Sequence, residues 1–210
     1  MVSVMPCTAK KGERLLDKNM EDFDCVITVR ELLYLIQKHG IDVKKLKPSS
    51  FDSIMGESSG AGVIFGASGG VMEAAIRTLA DKVYNEPIEN IDYHSIRGFD
   101  GTKFASIRLG KEEIRIAVVS GLGNAKRLLE KVKRKEIDIQ FVEVMSCPGG
   151  CINGGGMPLV SDSKQLETRM KGLYKIDESR KVRKSHENKE VQEFLTWQRN
   201  AVKKAKLHTR

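Results

Sequence analysis

The chain has 210 residues, 40% hydrophobic and 30% charged, which is the composition of an ordinary globular protein with enough length for a full core. No run approaches eighteen apolar residues, so no membrane span is expected, and the early charges after MVSVMPCTA argue against an export signal and for a cytoplasmic setting. The formal charge of +8 raises the question of nucleic acid, but the basic runs at 131–135, 180–184 and 203–206 lack interleaved aromatics and any nucleic-acid-binding motif; solvated faces are expected there, of the kind that greets an acidic electron-transfer partner.

In chain order, residues 2–5 form a short apolar segment closed by Pro6. Thr28 stands three residues before Glu31, a capping-box spacing, and Leu32, Leu33, Leu35 and Ile36 mark one helical face that Gly40 ends. Residues 41–61 read as loop. The apolar run 61–65 reads as a strand, leading through GASGG into a helix over 71–84 in which Glu73 and Arg77 are spaced to pair. A strand is expected near 103–108 and a clearer one over 114–119; GLGN then opens a helix over 125–135, and the strand 139–145 runs straight into Cys147. This alternation predicts an α/β fold with a mostly parallel sheet and flanking helices. Beyond Pro158 come helices over 163–175 and 189–198, the second capped by Asn188, with Trp197 expected as an anchor against the core.

The chemistry concentrates in SCPGGCINGGGMP, residues 146–158. Two thiols four positions apart sit among five glycines in eight residues, at the end of a strand where α/β folds place ligands. Glycines let backbone approach a metal cluster closely and aim amides at its sulfurs. Zinc is the competing reading, but zinc sites carry a second closely spaced ligand pair; Cys7 and Cys25 are distant, and His94, His186 and His208 show no ligand spacing. MPCTAKKGE, residues 5–13, adds Cys7 with Lys10 just beyond it. GASGG and GLGN complete no nucleotide-binding fingerprint and read as tight turns.

Taken together, MPCTAKK and MSCPGGCINGGG resemble two cluster-binding motifs of FeFe hydrogenases. VITVREL (26–32), FGASGGVMEAAIRT (65–78), RGFDG (97–101), VVSGLGNAK (118–126), FVEVM (141–145) and RKSHEN (183–188) follow that family in its order. The resemblance implies one lobe of a two-lobed catalytic domain over 1–160 and a helical tail like the family's small subunit over 161–210. It implies Cys7, Cys147 and Cys151 as thiolate ligands of a 4Fe–4S cluster, with Cys151 also bridging to a di-iron subcluster, the two forming the H-cluster at which dihydrogen is reversibly oxidised. By the same resemblance Lys10 donates to a cyanide there, Met5 and Met145 line the pocket, and Phe65 is a candidate for its wall.

The family's Thr-Ser-Cys-Cys-Pro motif is not in this sequence, and Met157 stands where a glutamine is expected. The fourth ligand is therefore expected from an N-terminal hydrogenase half or subunit, and electrons from a ferredoxin-like carrier. Cys25 is expected to be a buried, inert thiol. A non-catalytic iron–sulfur protein, similar to those of cytosolic cluster assembly, is the alternative, as is a truncated fragment with no activity of its own.

Overall fold

The computed structural model describes residues 1–16, 23–52, 56–84 and 92–207, and, at 84 and over 201–207, the backbone alone. His208 lies outside the described residues. The chain is α/β, with β1 (Val2–Met5), α1 (Ala9–Leu16), β2 (Cys25–Thr28), α2 (Val29–Lys38), α3 (Gly60–Ile64), α4 (Gly70–Leu79), β3 (Thr102–Leu109), β4 (Glu112–Ser120), α5 (Leu122–Lys133), β5 (Phe141–Met145), α6 (Ser163–Ser179) and α7 (Lys189–Leu207). One sheet pairs β1 with β2 in parallel; the other has the order β3-β4-β5. There β3 is antiparallel to β4, whereas β4 and β5 run parallel through α5, as a strand–helix–strand crossover must.

The β3-β4-β5 sheet is covered on both faces. Met72, Ile76 and Ala80 of α4 and its continuation pack on Ile107, Leu109, Ile116 and Val118. On the other face Ala125 and Leu128 of α5 meet Ala117 and Val119. The strict alternation along β4 divides Ile116 and Val118 from Ala117 and Val119 and makes this strand central. A third cluster joins Ile64 and Ala67 to Tyr174 of α6, which ties the C-terminal helices to the α/β body.

The expected capping box at α2 is present: Thr28 Oγ1 accepts from the Glu31 amide, and the Glu31 carboxylate accepts from the Thr28 amide at 2.7 Å. Arg77 pairs with Glu73 at 2.7 Å, as their spacing suggests. Asn188 caps α7 through its Oδ1, which accepts from the Val191 amide at 3.3 Å.

Four expectations are corrected. The apolar run 61–65 is not a strand but the short helix α3, because Ser59 caps it and the amides of Gly60 and Ala61 are taken by the carbonyls of Val182 and Arg183. Cys25 is exposed rather than buried, on the β2 edge strand opposite Val2. Trp197 is 65% exposed and stacks on Phe194, 5.9 Å between ring centres, instead of anchoring α7 to the core. The basic run 180–184 is not simply a solvated face: Arg183 pairs with Asp177 at 2.6 Å and Asp92 at 2.8 Å, and Lys184 pairs with Asp81 at 2.5 Å.

Candidate metal centre

Two strand ends converge on one site. β1 stops at Met5 because Pro6 cannot donate to a ladder, and Cys7 follows directly. β5 stops at Met145, and Ser146 leads into Cys147 and a tight turn closed by a hydrogen bond from the Gly150 amide to the Cys147 carbonyl (3.0 Å). Cys151 opens a 3-10 turn over Cys151–Asn153. All three thiols are half-buried and free.

The loop 147–156 is stitched to every element around it. The Gly156 amide donates to Pro6 O at 2.8 Å, and the Arg30 amide at the start of α2 donates to Gly156 O at 3.0 Å. The Ile152 amide donates to Gly66 O at 3.0 Å, and the Ser68 amide to Gly149 O at 3.1 Å. Arg169 of α6 closes the far side, donating to Ile152 O at 2.8 Å and Pro158 O at 2.7 Å. These contacts need two glycines in particular. Gly150 has φ +94°, and a Cβ there would lie 2.6 Å from the Ser68 nitrogen; at Gly154 a Cβ would lie 2.3 Å from Pro6 O. The loop is thus pressed against the backbone on both sides, and its cysteines are held where those two walls meet.

The thiols sense one another. Burial pushes the Cys151 thiol up, and the charges of Cys147, Cys7 and Glu143 push it further the same way. Thiolates crowded in this way need a compensating positive body, which a metal centre supplies. Among the described residues, Asp81, His186 and Glu187 are a set whose ligand atoms lie within 4.8 Å of one another, but Lys184 already occupies Asp81.

The remaining expected site residues are distributed as follows. Met5 and Met145 are half-buried at the two converging strand ends. Lys10, on α1, pairs with Glu13 at 2.6 Å. Phe65 is 44% exposed and lines an apolar groove between α4 and the sheet together with Val71, Ile116 and Phe141. Cys25 stands apart: it pairs with Val2, three residues down the strand from the Met5–Thr28 pair, about 10 Å along the strand. Sequence reasoning missed Glu143 and Lys103, both buried beneath the site. The signal was a charged residue at an inward position of each strand, visible only once the register is known.

A protein of this fold, with a thiolate cluster site at its strand ends, belongs to the iron–sulfur class. More particularly, the chain belongs to the FeFe hydrogenase family: residues 1–155 match the iron-only hydrogenase large subunit, C-terminal domain, and residues 163–209 match the iron hydrogenase small subunit. It is 43% identical to iron hydrogenase 1 of Clostridium pasteurianum over 89% of this chain and 34% of that protein. It is 31% identical to the cytosolic iron-sulfur assembly component 3 of Mus musculus over 83% of this chain and 39% of that protein. A variant of the FeFe hydrogenase HydA1 from Chlamydomonas reinhardtii has a similar structure, with a TM-score of 0.72 and 35% identity, covering 92% of this chain and 57% of that one. The chain spans about a third of the length of these curated relatives. The family expected from the motifs is therefore the family found. Among the described residues no helix is long and apolar enough to cross a membrane.

Proposed function

We propose that this chain supplies Cys7, Cys147 and Cys151 as ligands of an H-cluster and contributes one wall of a site for the reversible oxidation of dihydrogen. The observation that carries this reading is the loop 147–156, which hydrogen-bonds to Pro6 O next to Cys7 and so brings the neighbouring pair Cys147 and Cys151 to a thiol from the far end of the chain. When bound, a 4Fe–4S cluster with its di-iron partner supplies electron storage and a site where protons and electrons meet as dihydrogen.

The chain's own residues bind and shape. Cys7 is fixed by its place between β1 and α1, and Cys147 and Cys151 by the closed turn between them. Met5 and Met145 offer soft apolar surface at the two strand ends. Lys10 would be free to donate to a bound cofactor once it gave up Glu13, a part-exposed pair whose loss costs about 0–1 kcal/mol. The fourth thiolate and the opposite wall come from a further hydrogenase segment, and a ferredoxin-type carrier delivers electrons.

The second reading is a non-catalytic 4Fe–4S protein of the cytosolic assembly type, favoured by the 31% identity to such a protein. Infrared spectroscopy separates the two. The chain is loaded anaerobically with iron and sulfide, joined to an N-terminal hydrogenase segment, and supplied with a di-iron precursor. Carbonyl and cyanide bands together with dihydrogen evolution from reduced ferredoxin support the hydrogenase reading. A cluster without those bands supports the assembly reading.

A further inference from the structure

Beneath the cysteine loop runs a buried row that the fold does not require. Lys103 of β3, Val118 of β4 and Glu143 of β5 are direct cross-strand neighbours on the face that meets α4. They are 6%, 0% and 8% exposed. A sheet face packed on a helix is ordinarily apolar, and two opposite charges in one row need a reason.

Both charged groups close on the turn 66–70 above them. Glu143 takes the two amides at the start of α4, from Gly69 at 2.6 Å and Met72 at 2.7 Å, and so sits at the positive end of that helix. Lys103 Nζ donates to Gly98 O at 2.8 Å, Ser68 O at 3.3 Å and Ser68 Oγ at 3.4 Å, one acceptor for each ammonium hydrogen. The upper side of the same turn carries the cysteine loop, through Ser68 N to Gly149 O and Gly66 O to the Ile152 amide. One turn of backbone therefore separates the carboxylate from Cys151, thin because Gly150 lets the loop lie directly on Ser68.

Resting on the functional reading above, we propose that Glu143 is a positioning residue for the cysteine site, which holds the turn 66–70 against the loop and whose charge lowers the reduction potential of the cluster bound there. A fixed negative charge behind the thiolates opposes the arrival of an electron, and Lys103 offsets part of it. A lowered potential favours electron delivery to protons.

The test is a potentiometric titration, followed by electron paramagnetic resonance, of the full chain reconstituted anaerobically with iron and sulfide. Glu143→Gln keeps the shape and removes the charge; it is expected to bind iron as the parent does and to be about tenfold easier to reduce, a rise of about 59 mV for one electron. Lys103→Met removes the offsetting charge and is expected to shift the midpoint the other way. A Glu143→Gln midpoint equal to or below the parent's, at equal iron content, overturns the proposal. If Glu143→Gln loses iron, Lys103→Met decides: a lower midpoint upholds the proposal and an unchanged one overturns it. A parent chain that takes up no iron overturns the functional reading itself, and this inference with it.

Discussion

Arg77 and Asp177, 100 residues apart in sequence, meet in a two-pronged ion pair with both contacts at 2.9 Å and both side chains fully buried. The same guanidinium reaches Glu73 at 2.7 Å, and Arg183 completes the group on Asp177 at 2.6 Å. This network bolts α6, in the segment matching the small subunit, to α4 in the large-subunit domain. Removing Arg77 takes one guanidinium from each of two buried carboxylates, Asp177 keeping Arg183 and Glu73 keeping Arg97 at 2.6 Å. Arg77→Met is therefore expected to cost about 1.5–3 kcal/mol in denaturant unfolding, the level of lost hydrogen bonds between charged groups. A loss below about 1 kcal/mol, the level of a surface pair, contradicts the assignment.

The α2 cap gives a pH dependence with a definite sign. The hydrogen bond from Lys11, and then those from the Thr28 amide and hydroxyl, hold the Glu31 carboxyl at about 2, below its ordinary 4.5. A depressed folded value means the stabilisation is fully present above about 4.5 and is lost as pH falls from there toward 2. Asp177 contributes with the same sign: burial pushes it up, but hydrogen bonds from Arg77 and Arg183 outweigh that and hold it down. Melting temperature measured across this range is expected to fall on acidification, and less steeply in Glu31→Gln. Parallel curves for parent and variant contradict the role of the cap.

Two glycine substitutions should separate sharply. Gly150→Ala forces a Cβ to 2.6 Å from the Ser68 nitrogen at φ +94°, and is expected to destabilise by about 1–3 kcal/mol and to reduce iron uptake. Gly172, mid-helix in α6 with open space around it, is expected to gain about 0.5–1 kcal/mol as alanine and to leave iron uptake unchanged. Denaturant unfolding and iron analysis of both variants check this.

The parts of the fold with a local cause were legible in the sequence. The Thr28–Glu31 box, the β4 and β5 runs, the GLGN turn and the Asn188 cap all follow from spacing and chemistry within a few residues. What escaped depended on distant partners. The run 61–65 is helical because Val182 and Arg183 take its amides, and no periodicity in five apolar residues reports that. β2 exists because β1 lies beside it, and Cys25 is exposed because the pair has an open edge. The motifs singled out Cys7, Cys147 and Cys151, but not the brace beneath them, since Lys103 and Glu143 become neighbours only through the register of three strands.

The measurement that bears most directly on the central claim is the iron and sulfide content after anaerobic reconstitution of the parent and four single cysteine-to-serine variants. The parent is expected to hold an iron–sulfur cluster, Cys7→Ser, Cys147→Ser and Cys151→Ser to lose most of it, and Cys25→Ser to match the parent. Iron retained in Cys147→Ser and Cys151→Ser, or lost in Cys25→Ser, contradicts a centre built where the β1 and β5 ends converge.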